Sequence, residues 1–444
     1  MSERLQGQRL KEILENLADQ GFDGAEVYVK QGRSRRLERT LHTETSGFHH
    51  ERGWAVRATT TRASMFAVGT GEPPLTGPWP EPDGREIRLP EATTVPRWST
   101  PSDFDAPLVG EREGFELLRT LAKELDSEFP GARLIHGLLE DGSSEAEIRS
   151  SRGVSHTVRS RLAVLRVEAV SKAAWSETEG AGRASLVIPE REARKLHPGA
   201  VARRLADLLS VRGAAPPEAD RDRGEILLAP PVGRRLLAGL LPLLVGPRAE
   251  SRISRFRDRR GKVASDAVTV IDDGRLSGGL LTAPVDGEGV PTREIVLIAD
   301  GSFQQPLLAW DEARLGEHRS GGIRRRASFR DLPEAGPTHL YLKPDPAISV
   351  GSLVGSIARG YYLLDAPGPP RFDFDQDRFT LPVAGIAVRK GQAVAPVAGI
   401  VLAGAVSTLL RNVQAVARDL SFAPLEGMLG CPTVLISGLE IRRR

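Results

Sequence analysis

The chain has 444 residues, room for two or three domains at about 100–200 residues each, and its 40% hydrophobic and 27% charged residues exclude a disordered polymer. A single cysteine, Cys431, excludes an internal disulfide, a CxxC redox pair and a four-cysteine zinc site, so a metal would need His, Asp and Glu with at most one thiolate. Of the 61 basic residues 53 are Arg, yet the net charge is only +3, too weak a field to indicate nucleic-acid binding.

Met1–Gln20 carries seven charged side chains between Glu3 and Asp19, which leaves no room for the apolar core of a signal peptide, and a cytoplasmic location is expected. Leu5, Leu10, Ile13, Leu14, Leu17 and Ala18 recur at helical spacing and Gly21 follows as a stop. Ala25–Lys30 alternates as a strand, Arg36–Thr40 is a possible second, and Gly53–Thr60 with Ala63–Val68 reads as a strand pair. Gly69–Gly110 holds nine prolines and few aliphatics, which predicts an irregular surface excursion. Phe115–Phe129 is an amphipathic helix, and Arg133–Leu139, Val154–Val158, Leu162–Val170 and Ala184–Ile188 are strands of an antiparallel sheet. Arg191–Val211 is helical, and the polar, Pro-containing Gly213–Gly224 marks a domain boundary.

The second half begins with the strand Glu225–Ala229 and a very apolar helix, Arg234–Leu244. A basic loop follows, from Arg252 to Lys262. Strands then alternate with Asp-Gly turns: Val268–Asp272 before Asp273-Gly274, and Glu294–Ile298 before Asp300-Gly301. Ser352–Gly360 and Leu409–Leu420 look helical. Gly391–Leu410 is twenty residues without a charge, the length of a membrane span. Its Ala, Gly and Val, with Gln392, Pro396, Ser407 and Thr408, fit a strand–turn–helix instead, and no membrane association is expected.

The motifs of common chemistries are missing: no GxSxG, GxxxxGK[ST], GxGxxG after a strand, or HExxH. Asp373, Asp375 and Asp377 resemble the start of a calcium loop, but Arg378 and Ala384 replace its turn glycine and bidentate Glu, so the plain reading is a strand with one acidic face. His49 and His50, as strand neighbours, point to opposite faces and read as surface residues. Arg324, Arg325 and Arg326, like the Arg252–Lys262 loop, could bind phosphate or an acidic partner, with a solvated basic face as the plainer reading. Cys431 reads as a small packed residue.

The second half resembles the TldD/PmbA family of modulator proteins and zinc metallopeptidases. The resemblance rests on Arg259–Gly274, Val285–Gly301, Gly360–Ala366, Val397–Leu420 and Gly430–Ile441, and more weakly on Gly24–Glu38 and Glu51–Ala58. It implies an α+β fold of two domains: an N-terminal α/β sheet domain over 1–212 with the Pro-rich excursion 69–110, a linker over 213–224, and a β-rich C-terminal domain of the TldD/PmbA type over 225–444. In that family a TldD-like subunit carries HExxxH on the first helix of the C-terminal domain, a cysteine near the C-terminus completes the zinc site, and the Glu serves as general base on metal-bound water. The matching segment here is Leu236–Leu244, where Ala238 and Gly239 stand for the first His and the Glu and Leu243 stands for the second His. Cys431 falls a few residues beyond the family's cysteine.

The resemblance therefore implies a PmbA (TldE-like) chain with no metal or catalytic residue of its own. It would pair as a heterodimer with a TldD-like catalytic subunit that holds the zinc, and would position a peptide substrate. Three alternatives stay open. One is a partner-independent homodimer that binds peptides or proteins, and another an enzyme with a re-invented site using His318, Asp311 and Glu317. A nucleic-acid-binding role ranks last.

Overall fold

The computed structural model describes residues 3–77, 79–84, 86–95, 98, 102–171, 182–218, 221–314 and 321–444. In the first half, helix α1 (Glu3–Asp19) precedes strands β1 (Gly24–Thr40), β2 (Glu44–Thr59) and β3 (Ser64–Thr70). Helix α2 (Glu111–Glu128), strands β4 (Arg133–Ser150), β5 (Ser155–Val170) and β6 (Arg183–Glu190), and helix α3 (Pro198–Arg212) follow. The strands form one sheet in the order β3-β2-β1-β4-β5-β6, every pair antiparallel. Of the described residues between Thr70 and Gly110, only Ser102–Asp105 form regular structure, a single 3₁₀ turn, in keeping with the prolines.

Odd-numbered β1 residues face the helices. Val27 and Val29 pack with Leu10, Ile13 and Leu17 of α1, and Leu37 packs with Phe115, Leu118 and Leu121 of α2. Each such fully buried side chain is worth about 1.5–3 kcal/mol. Two strand expectations need correction. Ala25–Lys30 and Arg36–Thr40 are one strand, because β2 and β4 pair along the whole of Gly24–Thr40 and carry the polar stretch between them. Val154–Val158 and Leu162–Val170 likewise merge into β5.

Prolines account for two of the shifted helices. The helix expected over Arg191–Val211 starts only at Pro198, because Pro disfavours the helical region for His197, which sits at φ −104°, ψ 103°. The apolar helix of the second half, α4 (Pro230–Leu240), starts four residues earlier than expected, since Pro230 and Pro231 occupy its first turn, where no N–H is needed. Ser352–Gly360 is helical only over Val350–Ser356, and Leu409–Leu420 gives way to a helix at Val406–Arg411 and a strand at Val413–Val416. Gly391–Leu410 is the expected strand and helix.

The second half is sheet-rich. One six-stranded sheet runs Ser302–Phe303, Glu294–Ala299, Val270–Asp273, His339–Leu342, Gly427–Cys431, Ser421–Leu425. A nine-stranded sheet centres on Glu225–Leu228, Arg359–Asp365, Arg378–Arg389 and Gln392–Gly404. Arg221–Asp222, inside the expected linker, pairs with the C-terminal strand Glu440–Arg443. Side chains of both sheets share one core with α4, whose Val232, Leu236, Leu237 and Leu240 lie in it beside Leu340, Leu363 and Leu381.

The second face of the N-terminal sheet is covered by the other half. Tyr28, Ala55, Ile148 and Val154 pack around Phe329, and a Cβ at Gly53 would lie 2.2 Å from that ring, so only glycine fits. Beside it, Arg57 holds Glu26 (Nε–Oε1 3.0 Å) and Glu288 (Nη1–Oε1 2.7 Å), while Arg326 also donates to Glu26 and lies 4.4 Å over the Tyr28 ring. Burial alone would raise the Glu26 pKa, but Arg326 and Arg57 hold it below the ordinary value. Glu288, fully buried, also accepts from Trp310 Nε1 at 2.9 Å and Arg324 Nη1 at 3.3 Å.

Candidate functional site

Helix α4 holds the three positions singled out in the sequence. Gly239 lies against Phe372: a Cβ there would come within 2.1 Å of the ring. Phe372 is itself stacked on Phe374 and on Phe379, with 5.5 Å between centroids in each pair. Leu243 is 1% exposed, in the 3₁₀ turn that ends the helix, and Ala238 packs against the same core. None of the three side chains has an atom that could ligate a cation or move a proton. Gly233, earlier on the same helix, meets Cys431: a Cβ would stand 2.4 Å from its Sγ. Burial pushes the Cys431 thiol up to about 12, against the opposing charge of Arg234. Leu236, Leu240, Leu243 and Cys431 line a small apolar cavity of about 80 Å³. These residues do not fit a zinc ion, and among the described residues no three His, Cys, Asp or Glu side chains gather to hold one.

The other end of α4 opens on a cleft of about 870 Å³. Its walls come from both halves: Ser185–Val187 of β6, one face of α3, Ala393–Pro396, and Ser421–Leu425. β6 and Ser421–Leu425 are each the last strand of their sheet, so each presents a backbone edge with no strand beside it in that sheet. Arg204, Arg212, Arg234 and Arg235 line the cleft with Asp207, Asp365 and Asp419. Arg212 is paired with Asp365, and both Asp419 oxygens accept from Thr433.

Residues 221–443 match the family model described as the PmbA/TldA metallopeptidase C-terminal domain, half of the chain. The chain belongs to the PmbA/TldD family. It is 29% identical over 170 residues to a metalloprotease TldD homolog of Buchnera aphidicola subsp. Schizaphis graminum, a match covering 38% of this chain and 35% of the relative. It is 24% identical over 220 residues to metalloprotease PmbA of Escherichia coli O157:H7, covering 49% and 46%. The chain thus spans between a third and a half of the length of these relatives. Its fold is similar to the crystal structure of TldE from Thermococcus kodakarensis, with a TM-score of 0.82 at 18% identity over 98% of this chain and all of that one. The mixed, sheet-rich α+β architecture is that of the family along the whole chain.

Within this family member the remaining sequence candidates separate. Glu317 and His318 lie outside the described residues; Asp311 forms an ion pair with Arg324 (2.9 Å). The Arg324–Arg326 run is not a solvated basic face, because Arg324 and Arg326 turn inward to Glu288 and Glu26, buried acids far away in sequence. Arg325 is half-buried, near Asp272. By contrast Arg257, Arg259 and Arg260 are exposed on their loop, with Asp258 Oδ1 accepting from the Arg260 and Lys262 N–H groups. His49 and His50 are exposed on β2 as expected. Asp373, Asp375 and Asp377 do not line one strand face: Phe374–Asp377 form a tight turn, and Asp377 accepts from Ser407 N and Oγ.

Sequence reasoning missed His339 and Asp272. His339 Nδ1–H donates to Asp273 O (2.9 Å), and its Nε2 accepts from Leu281 N (3.2 Å). Burial lowers its pKa to about 4, so the ring is neutral. Asp272, fully buried, accepts from Thr338 N (2.8 Å) and is pushed up to about 7 by burial. The VTVIDDG run marks this strand end, but nothing local reveals its depth.

Proposed function

We propose that this chain is the non-catalytic, PmbA (TldE-like) subunit of a heterodimeric metallopeptidase acting on peptides or modified-peptide precursors. It supports a TldD-like partner and positions the substrate; zinc and the general base belong to the partner. The observation that carries the reading is helix α4, whose Ala238, Gly239 and Leu243 offer no donor atom, with Phe372 packed where a Glu side chain would start. The two strand edges in the adjoining cleft support substrate holding, since an extended peptide can add as a strand to such an edge. We place the complex in the cytoplasm; among the described residues no helix is long and apolar enough to cross a membrane.

The test is co-expression with a TldD-like paralogue from the same genome, followed by co-purification and zinc analysis of each subunit. The expected result is a stable pair, zinc in the partner alone, and peptidase activity only in the pair. Stoichiometric zinc or peptidase activity in this chain alone overturns the proposal. A homodimer that ignores the paralogue and still binds peptides would instead favour the partner-independent reading.

A further inference from the structure

The cleft beside α4 is equipped for more than backbone pairing. Arg234 is only 6% exposed, yet no carboxylate forms an ion pair with it among the described residues. Its Nη1 donates to Ser421 O (3.0 Å) and Ser421 Oγ (2.7 Å), and its other N–H groups have no partner among the described residues. Burial, and then the charge of Arg204, lower its pKa to about 10, so the site holds a cation at a cost. Arg235 follows it on the helix and Arg204 stands opposite on α3, both also without an ion-pair partner among the described residues. Pro230 and Pro231 open the helix without N–H groups, so the guanidinium groups carry the attraction for an anion.

The rim is apolar. Val187 is 42% exposed, Val394 63% and Leu425 37%, and all three line this cleft. An inorganic anion has no use for such a rim, and a purely apolar ligand would leave Arg234 without a counter-charge. We propose that the cleft binds the carboxylate-bearing end of an apolar peptide: Arg234 and Arg235, with Arg204 opposite, grip the carboxylate, and Val187, Val394 and Leu425 take the side chains. This deepens the reading of the chain as a substrate-holding subunit and rests on it for the choice of a peptide.

The test uses the full chain without any partner and follows the fluorescence anisotropy of an N-terminally labelled Ala-Val-Leu-Val peptide as free acid and as C-terminal amide. The acid should bind at least about tenfold more tightly, the scale of one to two charge-assisted hydrogen bonds. Arg235→Gln and Arg204→Gln, on less buried side chains that leave the core intact, should each weaken the acid several-fold and leave the amide unchanged. An amidated peptide ending in Glu separates the two carboxylate sources: recovery of binding assigns the site to a side-chain acid, and no recovery to the chain terminus. Equal binding of acid and amide, no binding of either, or indifference of the acid to both substitutions overturns the proposal. Because no partner is present, binding can succeed while co-purification fails, or the reverse, so the two readings stand or fall separately.

Discussion

Gly239→Ala tests whether α4 is closed at the position that matters most. The new Cβ would stand 2.1 Å from Cε2 and 2.6 Å from Cδ2 of Phe372. Carbon atoms rest comfortably about 3.5–4.0 Å apart, so the ring has to retreat by more than an ångström. It is stacked on Phe374 and Phe379, and the retreat disturbs both. Overpacking of this kind costs about 1–3 kcal/mol, while replacing a helical glycine returns about 1 kcal/mol at most. With the full return, the expected net loss is about 0–2 kcal/mol. In a Phe372→Ala background the clash is gone and the same substitution should stabilise, giving a coupling of about 2 kcal/mol in the four-protein cycle. Urea unfolding followed by tryptophan fluorescence reads all four midpoints. If Gly239→Ala alone raises stability as a free helix position would, Phe372 does not seal the helix and the reasoning is refuted.

Three further outcomes are expected. Asp272 has a native pKa raised to about 7, so its contribution to stability is full below the unfolded value near 4 and is lost as pH rises through 7. Asp272→Asn keeps an acceptor for Thr338 N and should lose less melting temperature than the parent between pH 5 and 8, measured by thermal unfolding; parallel curves would contradict the shift. Glu288→Gln removes one of the two buried carboxylates that face Arg57, which keeps Glu26, and should cost about 1–3 kcal/mol in urea unfolding, whereas no measurable change would mean that the site admits water. The Cys431 thiol, pushed up to about 12 by burial, should resist a thiol reagent at pH 8 in the folded chain and react once unfolded; rapid native labelling would show that the cavity under α4 opens.

The parts of the fold legible in sequence were those where period and burial agree. α2 repeats as its buried face requires, and the described residues of the Pro-rich segment are irregular apart from one 3₁₀ turn, as its composition demands; of β2 only the second half, from Gly53, could be read. Helix ends shifted wherever a proline set the boundary, at Pro198 and Pro230. β1 looked like two strands because its middle, Gln31–Arg36, is polar; only pairing with both β2 and β4 joins it. Ala238, Gly239 and Leu243 carry no donor atom by residue type alone, and that they stand at metal-site positions is what the family resemblance implies. Phe372's role could not be read, since it follows Gly239 by more than a hundred residues. The same holds for the cleft, assembled from stretches between Ser185 and Leu425. The Arg324–Arg326 run misled for a related reason: its counter-charges are distant in the chain, and no local pattern announces them.

That distance has a consequence in time. Glu26 and Arg326 are 300 residues apart. At a synthesis rate of about 5–20 residues per second, Arg326 emerges from the ribosome roughly 15–60 s after Glu26. Until then the face of the sheet bearing Tyr28, Ala55, Ile148 and Val154 lacks Phe329, which arrives with Arg326. The N-terminal sheet therefore stays half-clad until a strap encoded late in the chain has been made.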